Sequence, residues 1–379
     1  MGGNRISEVM EESKKFLLAL VRTALWGREE SLPQFAPNWS EVLALAHKQT
    51  LVGLVADVIP LLPDNLKPDA QMMMKIHSVA MRIIQAHSLL NRKVADIKTR
   101  LDSYGMQTVL FKGQGTALNY PKPYTRQCGD IDLYVGEKKF EQALNLLDPT
   151  SKKKAVDYKY VKHFNIEEDG VSIEIHRIAE TLPVRKCNKL FQQWTVDNLE
   201  GASVRRVEIG GATVNLPPAD FDAIYIMNHA WHHFINGGIG LRQLCDWTMH
   251  LHCFHNNLDK NILEKRLQSF GLIRAWKILS CVAVKYLGLP AEECPLYDGN
   301  YISKAEKVLD VIWQEGNFGH HSPAIKTPRP KGHFAGKLFS FKRNTSRIIR
   351  IMSISPMDVI YSWIHYFING LRNVFNKVG

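Results

Sequence analysis

The sequence predicts an α+β fold, a small mixed-sheet core held between an N-terminal and a C-terminal helical region. Three observations predict it. As far as about Leu101, apolar residues recur at three- and four-residue steps. Between about residues 102 and 216 the period shortens to two, and glycine-centred turns punctuate it. After Pro217-Pro218 the helical period returns. The boundaries that follow are 1–101 for the N-terminal helices, 102–216 for the sheet core, 217–316 for a C-terminal helical domain and 317–379 for a basic linker and tail helix.

Each element has its own signal. From about Ile6 to Leu101 the chain reads as helix, most clearly in MMMKIHSVAMRIIQAHSLLNRKVADIKTRL, which has neither Gly nor Pro and should end near Tyr104-Gly105. QTVLFKG and DIDLYVG are short β-rich runs closed by glycine. In HFNIEEDGVSIEIHRI two alternating runs flank Glu168-Asp169-Gly170, which predicts a hairpin. VRRVEI and ATVNL around Gly210-Gly211 predict a second. PPADFDAIYIMNHAWHHF opens a helix with prolines and an acid in its first turn. LRQLCDWTMHLHCF, NILEKRLQSF and IRAWKILSCVAVKYL continue the helical pattern, and the stretch containing KTPRPKG reads as a linker.

With 379 residues, 45% of them hydrophobic and 22% charged, the chain can bury a sizeable core, which excludes a disordered, collagenous or coiled-coil protein. The net charge of +11 favours an anionic partner: a nucleotide, a nucleic acid or an acidic membrane surface. Much of the excess is at the end, where ten Lys/Arg from Lys326 onward face a single acid, Asp358. Six cysteines without a CxxC pair read as reduced thiols of a cytoplasmic protein. The N-terminus has no signal-peptide pattern, and no run of eighteen apolar residues predicts a membrane span.

The chemistry is concentrated in VLFKGQGTALNYPKPYTRQCGDIDLYV. A strand runs into Lys112-Gly113-Gln114-Gly115-Thr116 and then a short helix. Glycines there let backbone N–H groups approach a phosphate, and Lys112 and Thr116 add a charge and a hydroxyl. Many such turns bind nothing. Asp130 and Asp132 lie two apart on a strand and project to one face, a costly arrangement unless a cation joins them. Mg²⁺, a hard ion held by few carboxylates and completed by substrate phosphates, suits the pair. An exposed edge pair is the competing reading. In VSIEIH, Glu174 alternates with Ile173 and Ile175; if that strand lies beside the DxD strand, three carboxylates meet and can serve two metals. His176 reads as part of the polar outer face of the hairpin.

Together these parts resemble the DNA polymerase beta-like nucleotidyltransferase superfamily: a Gly turn (Gly113, Gly115), a later strand with two acids (Asp130, Asp132) and a third acid (Glu174). More closely, the pattern KG–TAL–Y–P–R–DIDLYV and the later NHAWHHF…GLRQLCDW look like a bacterial group of uncharacterised nucleotidyltransferases, over about residues 75–250. The chain is also similar to abortive-infection toxin nucleotidyltransferases, whose turn reads KGGTAL; here Gln114 replaces the second Gly and is expected to place a side chain beside a triphosphate. The resemblance implies transfer of a nucleoside monophosphate from an NTP to an acceptor with release of pyrophosphate. Asp130 and Asp132 would ligate Mg²⁺, and Glu174 would ligate it or act as base. Lys112, Gly113, Gln114, Gly115 and Thr116 would hold phosphates, and Arg126 would pair with a phosphate or brace the loop onto Asp130. The acceptor is left open among a small molecule, a glycan, a protein and tRNA; an inactive nucleotide-binding or scaffold module is the reading from another class.

His229 and His233 lie four apart on one helix face, and a lining role near the cleft outweighs zinc binding because the HExxH glutamate is absent. Arg242 and Asp246 share that spacing and are expected to pair. Cys245, His250, His252, Cys253 and His255 scatter around a helix and do not make a zinc finger. In the tail, Met357, Ile360, Trp363 or Ile364, Phe367, Leu371 and Val374 form an apolar face beside basic residues. That face packs on the body or a partner, or lies as a peripheral contact on an anionic membrane.

Overall fold

A computed structural model describes residues 2–27, 37–149, 161–201, 203–317 and, further on, 339, 345, 347–349 and 351–364. The N-terminal region forms α1 (Gly2–Trp26), α2 (Trp39–Gln49), α3 (Val52–Val58) and the 33-residue α4 (Ala70–Asp102). At the start of α4 the Asp69 side chain accepts the Met72 N–H at 2.8 Å, satisfying one of the orphan donors of the first turn. Gly105, at φ +68°, closes the helix where the sequence predicts its end.

The core then runs β1 (Val109–Phe111), α5 (Gly113–Ala117), β2 (Asp130–Tyr134), α6 (Phe140–Leu147), β3 (His163–Glu168), β4 (Val171–His176), α7 (Arg185–Leu199), β5 (Arg205–Ile209) and β6 (Ala212–Leu216). The four-stranded sheet has the order β1-β2-β4-β3. β2 pairs antiparallel with β1 and parallel with β4, which makes the sheet mixed as predicted. Asp169 and Gly170, both at positive φ, form the two-residue turn between β3 and β4. β5 and β6 pair only with each other, around Gly210-Gly211. The sequence reading passed over α7, whose Phe191, Trp194 and Leu199 are buried although its overall composition is polar.

The C-terminal helices are α8 (Ala219–Asn236), α9 (Leu241–Phe254), α10 (Lys260–Phe270), α11 (Ile273–Leu287) and α12 (Ile302–Glu315). They share one hydrophobic core with α1–α3, in which Phe16, Leu20, Trp247 and Trp276 are fully buried. Trp247 and Trp276 meet edge to face at 4.9 Å, a geometry that contributes beyond the area they bury. A second cluster lies between α4, α6 and one face of the sheet, where Val94, Ile97, Ile131, Ile173 and Ile175 meet. The apolar residues of β2 and β4 therefore point to α4 and α6. Their polar residues are left on the opposite face, toward α8 and α9.

Of the tail, residues 356–364 are helical and packed on the body: Val359 is buried, and Trp231 Nε1 donates to Asp358 Oδ2 at 3.1 Å. Met357, Ile360 and Ile364 are exposed, while Phe367, Leu371 and Val374 lie outside the described residues, as does most of the expected linker. Among the described residues no helix is long and apolar enough to cross a membrane.

Candidate active site

The register of two parallel strands builds the centre of the site. Asp132 stands opposite Glu174 across the β2–β4 ladder, and Asp130 opposite Ser172. Because 130, 132 and 174 share one face of the sheet, each offers a carboxylate oxygen within 4.8 Å of the others. Asp132 is 2% exposed, whereas Glu174 and Asp130 are partly open to the cleft. Three acids so placed form a set of hard oxygen donors of the kind a divalent cation such as Mg²⁺ takes.

Cationic groups surround the acids. Lys112 Nζ lies 3.2 Å from Asp132 Oδ1 and 3.2 Å from His229 Nε2. His176 Nε2 is 2.9 Å from the same Asp132 oxygen and 3.4 Å from Glu174. Burial pushes the Asp132 carboxyl up, but the Lys112 ammonium and the His176 hydrogen bond override it and hold Asp132 well below the usual carboxylate range. In Glu174 burial is likewise outweighed by the His176 hydrogen bond, and the net shift is downward. Asp130 shifts the other way, raised by burial and by the charge of Asp132. His176 itself is raised, its burial outweighed by the two carboxylates it serves.

This corrects the reading of His176 as a solvated residue of the hairpin's outer face. It is 1% exposed and bridges two acids. The alternation of β4 put its side chain on the correct face; what the sequence could not show is that α8 covers that face.

Lys112 adopts φ +46°, ψ −138°, a conformation sparsely populated by residues with a Cβ, and Gly113 follows at φ +44°. The turn thereby aims the lysine back across β2 at Asp132. Lys112, Gly113 and Thr116 line the cleft, as expected of phosphate-holding residues. Gln114 and Gly115 are buried and are not on its wall. A Cβ at Gly115 would meet Leu216 Cδ2 at 2.6 Å, so the missing side chain there serves the packing of α5 on β6. Gln114 is 1% exposed, with neither amide atom partnered among the described residues, and its side chain is not on the cleft wall where the sequence suggested it would lie beside a triphosphate.

Arg126 is buried on the wall of the cleft, and the carboxylate it pairs with is not Asp130. Its Nε and Nη2 donate to the two carboxylate oxygens of Asp246, at 3.0 and 2.6 Å, and Tyr120 Oη donates to the same carboxylate at 2.7 Å. The expected Arg242–Asp246 helix pair is replaced by this bidentate one. Arg242 instead reaches the Gln127 carbonyl and lines the cleft, with its Nε unpartnered among the described residues.

His229 and His233 take the lining role the spacing suggested. Burial, with the neighbouring Lys112 charge, holds His229 well below its usual range, so the neutral ring accepts from Lys112. Three further residues escaped the sequence reading: Lys162, His163 and Glu180. Lys162 and His163 line the cleft, and buried Glu180 pairs with Lys162 at 3.2 Å and lies 3.6 Å from His229 Nδ1. A signal for His163 was present, because a two-residue turn at Asp169-Gly170 places it directly opposite His176.

Comparison with known proteins gives one family and one solved structure. No curated protein matches. The solved structure is an antigenic nucleotidyltransferase-like protein from Paracoccidioides brasiliensis, 15% identical, with 54% of this chain and 92% of that one covered and a TM-score of 0.28. The family model described as "Uncharacterised nucleotidyltransferase" matches residues 36–288, which take in the whole site and the adjoining part of each flanking helical region, from α2 to α11. With more than half its length matched by that model, the chain belongs to this family of nucleotidyltransferases.

Proposed function

We propose that the chain transfers a nucleoside monophosphate from an NTP to an acceptor hydroxyl with release of pyrophosphate, and that the transfer depends on Mg²⁺. The observation carrying this reading is the meeting of Asp130, Asp132 and Glu174 on one sheet face beside a glycine turn, in a chain of this family. These three residues would hold Mg²⁺, which when bound neutralises the phosphates and polarises the reacting oxygens.

The chain's own groups divide the remaining work. Lys112, held against Asp132 by its strained backbone, and Arg242, whose Nε is unpartnered among the described residues, supply positive charge to a triphosphate lying across Gly113 and Thr116. Neutral His229 and His233 leave that positive charge uncontested and close the cleft from the α8 side. Glu174, opposite Asp132 across the β2–β4 ladder, would complete the ion's shell or take the acceptor's proton. The acceptor hydroxyl belongs to a small molecule, a glycan, a protein or tRNA. Gln114 and the tail helix are the features that favour an inactive module, and the burial of Gln114 away from the cleft removes the first of them.

The test is calorimetric titration of ATP, GTP, CTP and UTP with Mg²⁺, on wild type and on Asp130→Asn/Asp132→Asn. Mg²⁺-dependent binding of one NTP, lost in a folded double variant, supports the reading. A folded wild type that binds no NTP sinks it.

A further inference from the structure

The β3–β4 hairpin builds a second donor set beside the carboxylates. His163 stands opposite His176 across the antiparallel ladder, and Glu174 lies two residues before His176 on the same face. One ligand atom from each of His163, Glu174 and His176 falls within 4.8 Å of the others. Glu174 Oε2 is 3.7 Å from His163 Nδ1 and 3.4 Å from His176 Nε2. Asp132 Oδ1 adjoins the group, 2.9 Å from His176 Nε2. His163 Nδ1 is buried and has no hydrogen-bond partner among the described residues.

These separations are those of a metal's ligands. Donors about 2.1 Å from Zn²⁺ in a tetrahedron stand about 3.4 Å from one another, and octahedral neighbours stand about 3.0 Å apart. His163 Nδ1, without a hydrogen-bond partner among the described residues, faces the Glu174 carboxylate with a lone pair or proton to offer. The donor type differs from that of the acid triad as well: two imidazoles with one carboxylate favour Zn²⁺ or Mn²⁺, whereas Mg²⁺ prefers oxygen throughout.

We propose that His163, His176 and Glu174 form a site for a transition metal ion, Zn²⁺ or Mn²⁺, adjoining the Asp130–Asp132–Glu174 site and sharing Glu174 with it. The centre is then a two-ion site with one hard and one nitrogen-bearing position. The role of the second ion in transfer rests on the nucleotidyltransferase reading; its binding does not.

The experiment uses the full chain, stripped with chelator and free of nucleotide. Zn²⁺ is titrated against a chromophoric chelator, and Mn²⁺ is followed by pulsed electron paramagnetic resonance for coupling to ¹⁴N. Wild type, His163→Ala, His163→Gln and Asp130→Asn are compared, each first shown to be folded by thermal melting. The expected result is one Zn²⁺ per chain, weakened at least about tenfold in both His163 variants and much less in Asp130→Asn. Nitrogen coupling to Mn²⁺ falls in the His163 variants. The proposal is overturned if folded wild type retains no Zn²⁺, or if Zn²⁺ affinity follows Asp130→Asn and ignores His163. Mg²⁺-NTP titration of the same wild-type sample reports separately on the transferase reading, so the two can fail independently.

Discussion

Arg126 grips Asp246 through two parallel hydrogen bonds, Nε to Oδ1 at 3.0 Å and Nη2 to Oδ2 at 2.6 Å, with both side chains buried. The pair fastens the loop just before β2, and with it Asp130, to α9 of the C-terminal helices. Removing one partner leaves the other charge buried and uncompensated, a cost of about 3–5 kcal/mol. Asp246→Asn and Arg126→Met should each lower stability by about that amount, whereas the double variant should lose much less than their sum. Urea unfolding of the four proteins completes the cycle; additive losses would refute a coupled pair.

Lys112 offers a test of strain at the site. At φ +46°, ψ −138° a Cβ is disfavoured, by about 1–3 kcal/mol. Lys112→Ala and Lys112→Gly both delete the ammonium beside Asp132, so the difference between them isolates the backbone. Lys112→Gly should be the more stable of the two by about 1 kcal/mol after the entropy cost of glycine. Both should weaken Mg²⁺-NTP binding by at least about tenfold, the loss expected for one charge-assisted contact. Equal stabilities would mean that the turn carries no strain.

Much of this arrangement was legible in the sequence. The Gly turn, the DxD strand, the acid at 174 and the two hairpins follow from period and turn chemistry, which are local. Hidden from it was everything that depends on which elements lie against each other. The carboxylate partner of Arg126 could not be read there, because Asp246 is far along the chain, on α9. His176 was taken for a solvated residue because the cover supplied by α8 leaves no trace in the hairpin's own alternation. Gly115 read as a phosphate contact, although its demand comes from Leu216 on β6. α7 was missed because only Phe191, Trp194, Leu199 and their close neighbours carry its apolar face.

The two hairpin turns separate two reasons for glycine. Gly170 is at φ +74° with open space around its missing Cβ. Gly210 is at φ +60°, and there a Cβ would stand 2.2 Å from the Asn91 carbonyl oxygen of α4. Gly170→Ala meets only the left-handed backbone penalty, about 1–2 kcal/mol. Gly210→Ala adds a clash with main chain that cannot rotate away, and should cost at least about 3 kcal/mol. Thermal melts of the two variants decide it; similar shifts would mean that the β5–β6 turn can lift off α4.

Acid should expose a third dependence, through the histidines kept neutral inside the fold. His250 is 1% exposed, its Nε2 lies 2.8 Å from the Ala219 carbonyl, and burial pushes it down to about 3. His233 is pushed down to about 4, first by burial and then by Lys112. An unfolded histidine titrates near 6.5. Above that pH neither state binds the proton, and the stability from a neutral ring is fully present. As pH falls below it, the unfolded chain takes up the proton first, and each such histidine removes up to about 1.4 kcal/mol per pH unit until its folded value is reached. Asp222 opposes them. Burial raises it to about 7 despite its 2.5 Å pair with Arg205, so in the same window the folded state holds the extra proton. The wild-type slope is therefore a balance, and the change on substitution is the clean quantity. His250→Gln keeps an amide that can donate to Ala219 and removes the titration. Its stability should fall less steeply than that of wild type between pH 6 and 4.5, by about 1 kcal/mol per unit. Urea unfolding at closely spaced pH values measures both slopes, and parallel curves would show that His250 takes up no additional proton on unfolding.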